Sequence, residues 1–162
     1  MLQIRRYQPQ DDTVVKELHY AGIAQMKEMD PIKGRPDIPN IDGDLDDIEN
    51  VYINNRGDFL VGLRDDEIVA IGALKKFSDA CGEIKRIRIR RDCQRQGYGE
   101  MILLKLIEQA KILQYQELVL DTMASNVPAQ RLFKKTGFLE IRRGAIGPFN
   151  VIYYGKRLAR NE

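Results

Sequence analysis

The residues best suited to chemistry lie between positions 83 and 113, in the run Glu83-Ile84-Lys85-Arg86-Ile87-Arg88-Ile89 and then Gln94-Arg95-Gln96-Gly97-Tyr98-Gly99. The second group suits an anion. Glycines let a phosphate reach the backbone without a side chain in the way, and the first N–H groups of a helix have no internal partner. After Gly99, apolar residues recur at Leu103, Leu106, Ile107, Ala110 and Leu113, the one-face spacing of a packed helix. Two related phosphate-binding templates fail. Ile102 stands where the dinucleotide fingerprint needs its third glycine, and the Gly-Lys-Ser/Thr ending of a Walker loop is absent. What remains suits a pyrophosphate held by backbone N–H groups and left chemically untouched.

The strand before this turn has a break in parity. Ile87 and Ile89 share a face, and Ile84 joins them only if one extra residue is inserted near Lys85 or Arg86. A β-bulge would do this, and bulges re-aim groups beside active sites.

Around this stretch, residues 2–7 predict a first strand and residues 11–29 a helix with Val14, Val15, Leu18, Ala21 and Ile23. Residues 30–43 carry Pro31, Gly34, Pro36, Pro39 and Gly43 and predict a loop. Leu45, Ile48, Val51 and Tyr52 predict a second helix over residues 42–55. Residues 59–63 and 68–74 predict an antiparallel hairpin. A short strand over residues 117–121 completes a parallel βαβ unit with the long helix. A further helix is expected from Asn126, with Pro128 in its first turn and Gly137 past its end. Residues 138–142 and 151–154 predict the last strands, separated by a loop holding Gly144, Gly147 and Pro148.

With these elements in place, the two runs quoted above, followed by Asn126-Val127-Pro128-Ala129 and Phe133-Lys134-Lys135-Thr136-Gly137-Phe138, resemble the successive signatures of the GNAT superfamily of acetyl-CoA-dependent N-acetyltransferases. The resemblance extends over nearly the whole chain. It implies one N-acetyltransferase domain over residues 1–162 with an α/β (α+β) fold: a mixed central sheet of about six or seven strands with about four helices on both faces. It also implies acetyl-CoA as cosubstrate, direct attack by an amine, and a small-molecule or protein amine as acceptor, with a homodimer as a further partner.

The resemblance assigns roles residue by residue. Ile87, Arg88 and Ile89 offer backbone groups to the pantetheine arm, and the Ile89 N–H polarises the thioester carbonyl. Gln94 opens the phosphate-binding turn. Arg95, Gln96, Gly97, Tyr98, Gly99 and Glu100 wrap the pyrophosphate, and Asn126 and Phe133 meet the cofactor arm. Protonated amines are poor nucleophiles, so a base is needed, and Glu83 stands at the family's frequent glutamate position. Its alternative role is a solvated strand-end carboxylate paired with Arg86 or Lys85. Phe133 stands where the family often has a tyrosine acting as acid. Tyr98, Tyr153, Tyr154 or water takes that role, or the thiolate leaves unassisted. A coenzyme-A-binding module without catalysis is the alternative function.

Composition sets limits. A chain of 162 residues can bury about two thirds of its unfolded surface. Apolar content of 43% and charged content of 31% fit a globular protein, and no apolar run nears the ~20 residues of a membrane span. The N-terminal residues lack the apolar core of a signal peptide, so a cytoplasmic location is expected. Cys81 and Cys93 are expected to be reduced bystanders, no metal site is expected, and lone His19 is expected partly exposed on its helix. The basic residues from Lys85 to Arg95 lack interleaved aromatics, which argues against nucleic acid. Asp42, Asp44, Asp46, Asp47 and Glu49 read as a solvated helix start, or as an acidic border attracting a cationic acceptor.

Overall fold

The structure, a computed structural model, describes residues 1–29 and 43–159. Seven strands form one mixed sheet: β1 (Gln3–Arg6), β2 (Asp58–Arg64), β3 (Glu67–Lys76), β4 (Cys81–Ile89), β5 (Glu117–Met123), β6 (Leu139–Ile146) and β7 (Phe149–Arg157). Their order across the sheet is β1-β2-β3-β4-β5-β7-β6. Only β4 and β5 are parallel, and the connection between them is helix α2 (Tyr98–Ile112). Helix α1 (Asp12–Met29) precedes β2, and helix α3 (Val127–Lys135) lies between β5 and β6.

A hydrophobic cluster covers each face of the sheet. On one face, Ile102, Leu103, Leu106 and Ala110 of α2 are fully buried and cluster with Ile84, Leu118, Leu120, Ile152 and Tyr154. On the other, Val15 and Leu18 of α1 pack with Leu45, Tyr52, Phe59, Val61 and Ile71. The β2–β3 hairpin turns at Asp65 and Asp66, both with positive φ (52° and 64°), the left-handed pair that a tight two-residue hairpin turn requires. Asn126 caps α3 by accepting a hydrogen bond from the Ala129 N–H at 3.3 Å, and Gly137 leaves the helix at φ 95°.

Three expectations are corrected. The helix expected over 42–55 is a 3₁₀ turn, Gly43–Asp47, followed by a π turn, Glu49–Ile53, with Leu45, Ile48 and Tyr52 buried in one core. Gly144 belongs to β6, and the connection to β7 is a tight turn at Gly147 and Pro148, with Gly147 at φ 56°. His19 is fully buried, since four residues after Val15 and three before Gly22 it falls on the inward face of α1. Of the loop expected over 30–43, all but Gly43 lies outside the described residues.

Candidate active site

The parity break is a bulge. Lys85 pairs with Ala73 and Arg88 with Ile71, so Arg86 and Ile87 together face Gly72. Arg86 takes up the extra residue at φ 61°. Ile84 is therefore buried in the α2-side cluster while Ile87 and Ile89 pack against the same cluster. Gly72 makes room for this arrangement. A Cβ there would come within 2.4 Å of Ile102 and 3.5 Å of Ile87.

The Arg86 guanidinium turns to the opposite face. It donates to the Asp44 carboxylate at 2.5 and 3.0 Å, and the Tyr52 hydroxyl donates to the same carboxylate. The Arg86 and Asp44 side chains are only 9% and 8% exposed. Burial pushes the Asp44 carboxyl up, but the hydrogen bonds from Arg86 and Tyr52 and the Arg86 charge outweigh it and hold it below its ordinary value. Asp44 is thus turned to Arg86 rather than to an acceptor.

Parallel pairing of β4 and β5 stops at Glu83 and Val119, although the strands continue to Ile89 and Met123. A cleft opens between them. The Arg90 N–H donates to Val69 of β3 at 2.7 Å, so strand alternation turns the backbone edge of Ile89 toward the cleft. The Ile89 carbonyl accepts from the Gln94 side chain at 3.0 Å, and Gln94 exchanges amide hydrogen bonds with Gln25 of α1 at 2.8 and 3.0 Å. The Gln94 side chain therefore ties α1 to the end of β4. Arg88 lies across α1 where Gly22 leaves space, for a Cβ there would sit 2.4 Å from its Cδ.

Residues 95–100 form the turn and first residues of α2. Arg95 and Gly97 have φ values of 63° and 83°, and Gly97 is the N-cap. The first bond of the helix ladder runs from the Met101 N–H to the Gly97 carbonyl at 3.1 Å, so the N–H groups of Gly97, Tyr98, Gly99 and Glu100 lie ahead of that ladder. A Cβ on Gly97 would meet nothing within 4 Å, so the approach is open. The side chains here face outward or inward: Gln96 accepts from Arg64 at 3.2 Å, Glu100 pairs with Lys135 at 2.8 Å, and Tyr98 is buried. Phe133 is also buried, its ring centroid 5.7 Å from that of Tyr154 and 6.2 Å from that of Phe138.

On the α1 side of the cleft is a cavity of about 490 Å³, within the usual range for small-molecule sites. Of the anticipated residues, Glu83, Arg88 and Asn126 line it, and it adjoins α1 and the β6–β7 turn. Glu83 is half-buried. Burial raises its carboxyl above the ordinary value; Lys85 opposes the shift and the charge of Asp121 adds to it. Asp121 also lines the cavity, and burial raises its carboxyl against Lys85 and Arg86. Among the described residues Glu83, Lys85 and Asp121 make no ion pair or side-chain hydrogen bond, so the pairing of Glu83 with Arg86 or Lys85 is not formed. Asp121 was the residue missed in the sequence. Its signal was available, because a charged residue two positions beyond Val119 must share the face of Glu83. Among the described residues no group of three His, Cys, Asp or Glu side chains could hold a metal ion, and no helix is long and apolar enough to cross a membrane.

Residues 22–138 match the Acetyltransferase (GNAT) family. An uncharacterized N-acetyltransferase of Schizosaccharomyces pombe is 31% identical over 118 residues, covering 70% of this chain and 72% of its own. The Bacillus subtilis protein YsnE, also an uncharacterized N-acetyltransferase, is 39% identical over 75 residues, which is 45% of this chain and only half of YsnE's length. In fold, a GNAT acetyltransferase of Staphylococcus aureus Mu50 superposes with a TM-score of 0.82 at 19% identity, over 98% of this chain and 100% of that one. The Salmonella typhimurium protein yncA, solved with its cofactor acetyl-CoA, superposes with a TM-score of 0.80 at 14% identity, over 100% and 96% of the two chains. With a family match over most of its length and the bulge, cleft and helix start in one sheet, the chain belongs to the GNAT family and is an acyltransferase.

Proposed function

We propose that the protein moves the acetyl group of acetyl-CoA to a primary amine by direct attack within a ternary complex. The observation that carries this reading is the early end of the β4–β5 pairing, which leaves residues 87–89 without a strand partner on the β5 side, beside the start of α2. Residues 87–89 would hold the pantetheine arm as a neighbouring strand would. The Ile89 N–H would donate to the thioester carbonyl, where negative charge develops. Residues 95–100 would bind the pyrophosphate through backbone N–H groups at the positive end of α2, and the open space at Gly97 fits that use. Asn126 would meet the arm where the strands splay, with Phe133 behind it.

Acetyl-CoA supplies an acyl group that is already activated. The remaining work is orientation and removal of a proton from the amine. Glu83 takes the proton, directly or through water. Its burial brings a carboxyl closer to neutral pH, which makes it a stronger base while it stays ionised. The free, buried thiols of Cys81 and Cys93 fit a reducing compartment such as the cytoplasm.

The test is release of free coenzyme A thiol from acetyl-CoA across an amine panel. Release that depends on the amine and falls about 10²–10⁴-fold in Glu83→Gln is the expected result. Phe133 favours one second reading, since it cannot donate a proton to the leaving thiolate. If coenzyme A raised the melting temperature but no amine gave turnover, the protein would be a coenzyme-A-binding module.

A further inference from the structure

The cavity holds two carboxylates, Glu83 and Asp121, and an ammonium, Lys85, that make no ion pair among the described residues and lie on one face of the two splaying strands. We infer that Asp121 and Lys85 recognise the acceptor, and that the acceptor is a zwitterionic α-amino acid with an apolar side chain. This rests on the acetyltransferase reading above.

Lys85 is two residues beyond Glu83 on β4 and so stands ~7 Å along the same face. Asp121 is two residues beyond Val119, the strand partner of Glu83, and thus lies level with Lys85 where the strands have parted. Glu83 and Lys85 are half-buried, and charged groups so placed without partners cost free energy unless a ligand supplies the complement. An ammonium lying between Glu83 and Asp121, with its own carboxylate reaching Lys85, supplies both at once. Glu83 then takes the proton while Asp121 keeps the nitrogen in place.

Other charged groups also face this cluster. Lys27 and Arg88 line the cavity, Lys75 acts on Glu83 from β3, and Arg86 is neutralised by Asp44. Lys85 stands beside the two carboxylates, so a polyamine held by them would bring its second charge toward an ammonium. Apart from Tyr20, Thr122 and Asn126 the remaining walls are apolar, formed chiefly by Ile23 and Met26 of α1, Met123 of β5, and Ile146, Phe149 and Val151 around the β6–β7 turn. They fit an aliphatic or aromatic side chain.

Matched acceptors test this: L-norleucine, its decarboxylated counterpart n-pentylamine, and spermidine, each read by thiol release from acetyl-CoA with the full chain. The expected result is a kcat/KM for L-norleucine at least tenfold above that for n-pentylamine, with spermidine lowest. Lys85→Met should erase the advantage of L-norleucine, lowering its kcat/KM at least tenfold relative to that of n-pentylamine measured on the same variant. Asp121→Asn should raise KM for both at least tenfold with less than a threefold change in kcat. Equal or better use of n-pentylamine or spermidine by the wild type overturns the inference, as does an Asp121→Asn enzyme with unchanged KM, and either leaves the acetyltransferase reading standing. Absence of thiol release with every amine overturns both.

Discussion

Two charge clusters, one at Arg86 and one at Glu83 and Lys85, adjoin on the same strand and are built on opposite plans. Around Arg86 the charges are paired: the guanidinium and the Tyr52 hydroxyl both donate to the Asp44 carboxylate, almost out of contact with solvent. Glu83, Lys85 and Asp121 make no ion pair or side-chain hydrogen bond within the described residues, and the groups face a cavity. The first cluster holds a shape, the kink in β4. The second cluster is left for a ligand to complete. Proximity in sequence thus says little about role; the count of satisfied partners says more.

The comparison can be broken most sharply at Glu83. Glu83→Gln should lower kcat about 10²–10⁴-fold while the folded state stays intact, with the melting temperature raised by a few degrees because a desolvated charge has been removed; thiol release and calorimetry measure the two effects. A normal rate would place Glu83 outside the working cluster. Asp44→Ala should do the reverse. It leaves Arg86 buried without its carboxylate, at about 3–5 kcal/mol of stability, which urea denaturation would read as a lower midpoint at unchanged slope.

The pH dependence of stability should also carry opposite signs. Asp44 is held below its unfolded value, so its stabilisation is present above that unfolded value and disappears as pH falls through the folded one. Glu83 and Asp121 are held above theirs, so they destabilise at neutral pH, and that cost is relieved as pH falls through their folded values. Relative to wild type, Asp44→Asn should close its stability gap in acid, and Asp121→Asn should lose its advantage in acid. A gap independent of pH in either variant would count against the assignment. The smallest effect is expected at Tyr154. Its hydroxyl is buried with no hydrogen-bond partner among the described residues, yet its residue does not line the cavity. Tyr154→Phe should change stability by about 1 kcal/mol or less and leave kcat unchanged. A hundredfold loss of kcat would instead make Tyr154 the acid that Phe133 cannot be.

Much of the architecture was legible in the sequence because the relevant signals are local. The helical spacing after Gly99, the Asn126 cap and the Asp65-Asp66 turn each act within a few residues. The bulge was legible for a less common reason: Ile84, Ile87 and Ile89 have to meet one helix, and their parity forbids it without an insertion. What stayed hidden depends on contacts between distant segments. Asp44 reads as part of a solvated acidic run until the fold brings Arg86 to it across 42 positions. His19 reads as a surface residue until α1 is seen to be covered. Gln94 reads as the first residue of a phosphate turn until its amide meets Gln25 across 69 positions. Tyr98 and Phe133 carry cofactor roles only through the resemblance, and both side chains are buried.

The kink in β4 also has a consequence for how the fold and the chemistry can be separated. In an ordinary strand, removing one residue turns every side chain beyond it to the other face. Here the reverse holds, since a chain lacking Arg86 would bring Ile84, Ile87 and Ile89 into plain alternation against α2, with Ile87 opposite Gly72. The core therefore does not require the extra residue. Such a deletion, combined with Asp44→Asn to avoid an orphaned carboxylate, would give a protein with its packing kept and its strand straightened, in which architecture persists and only the aim of one backbone edge is lost.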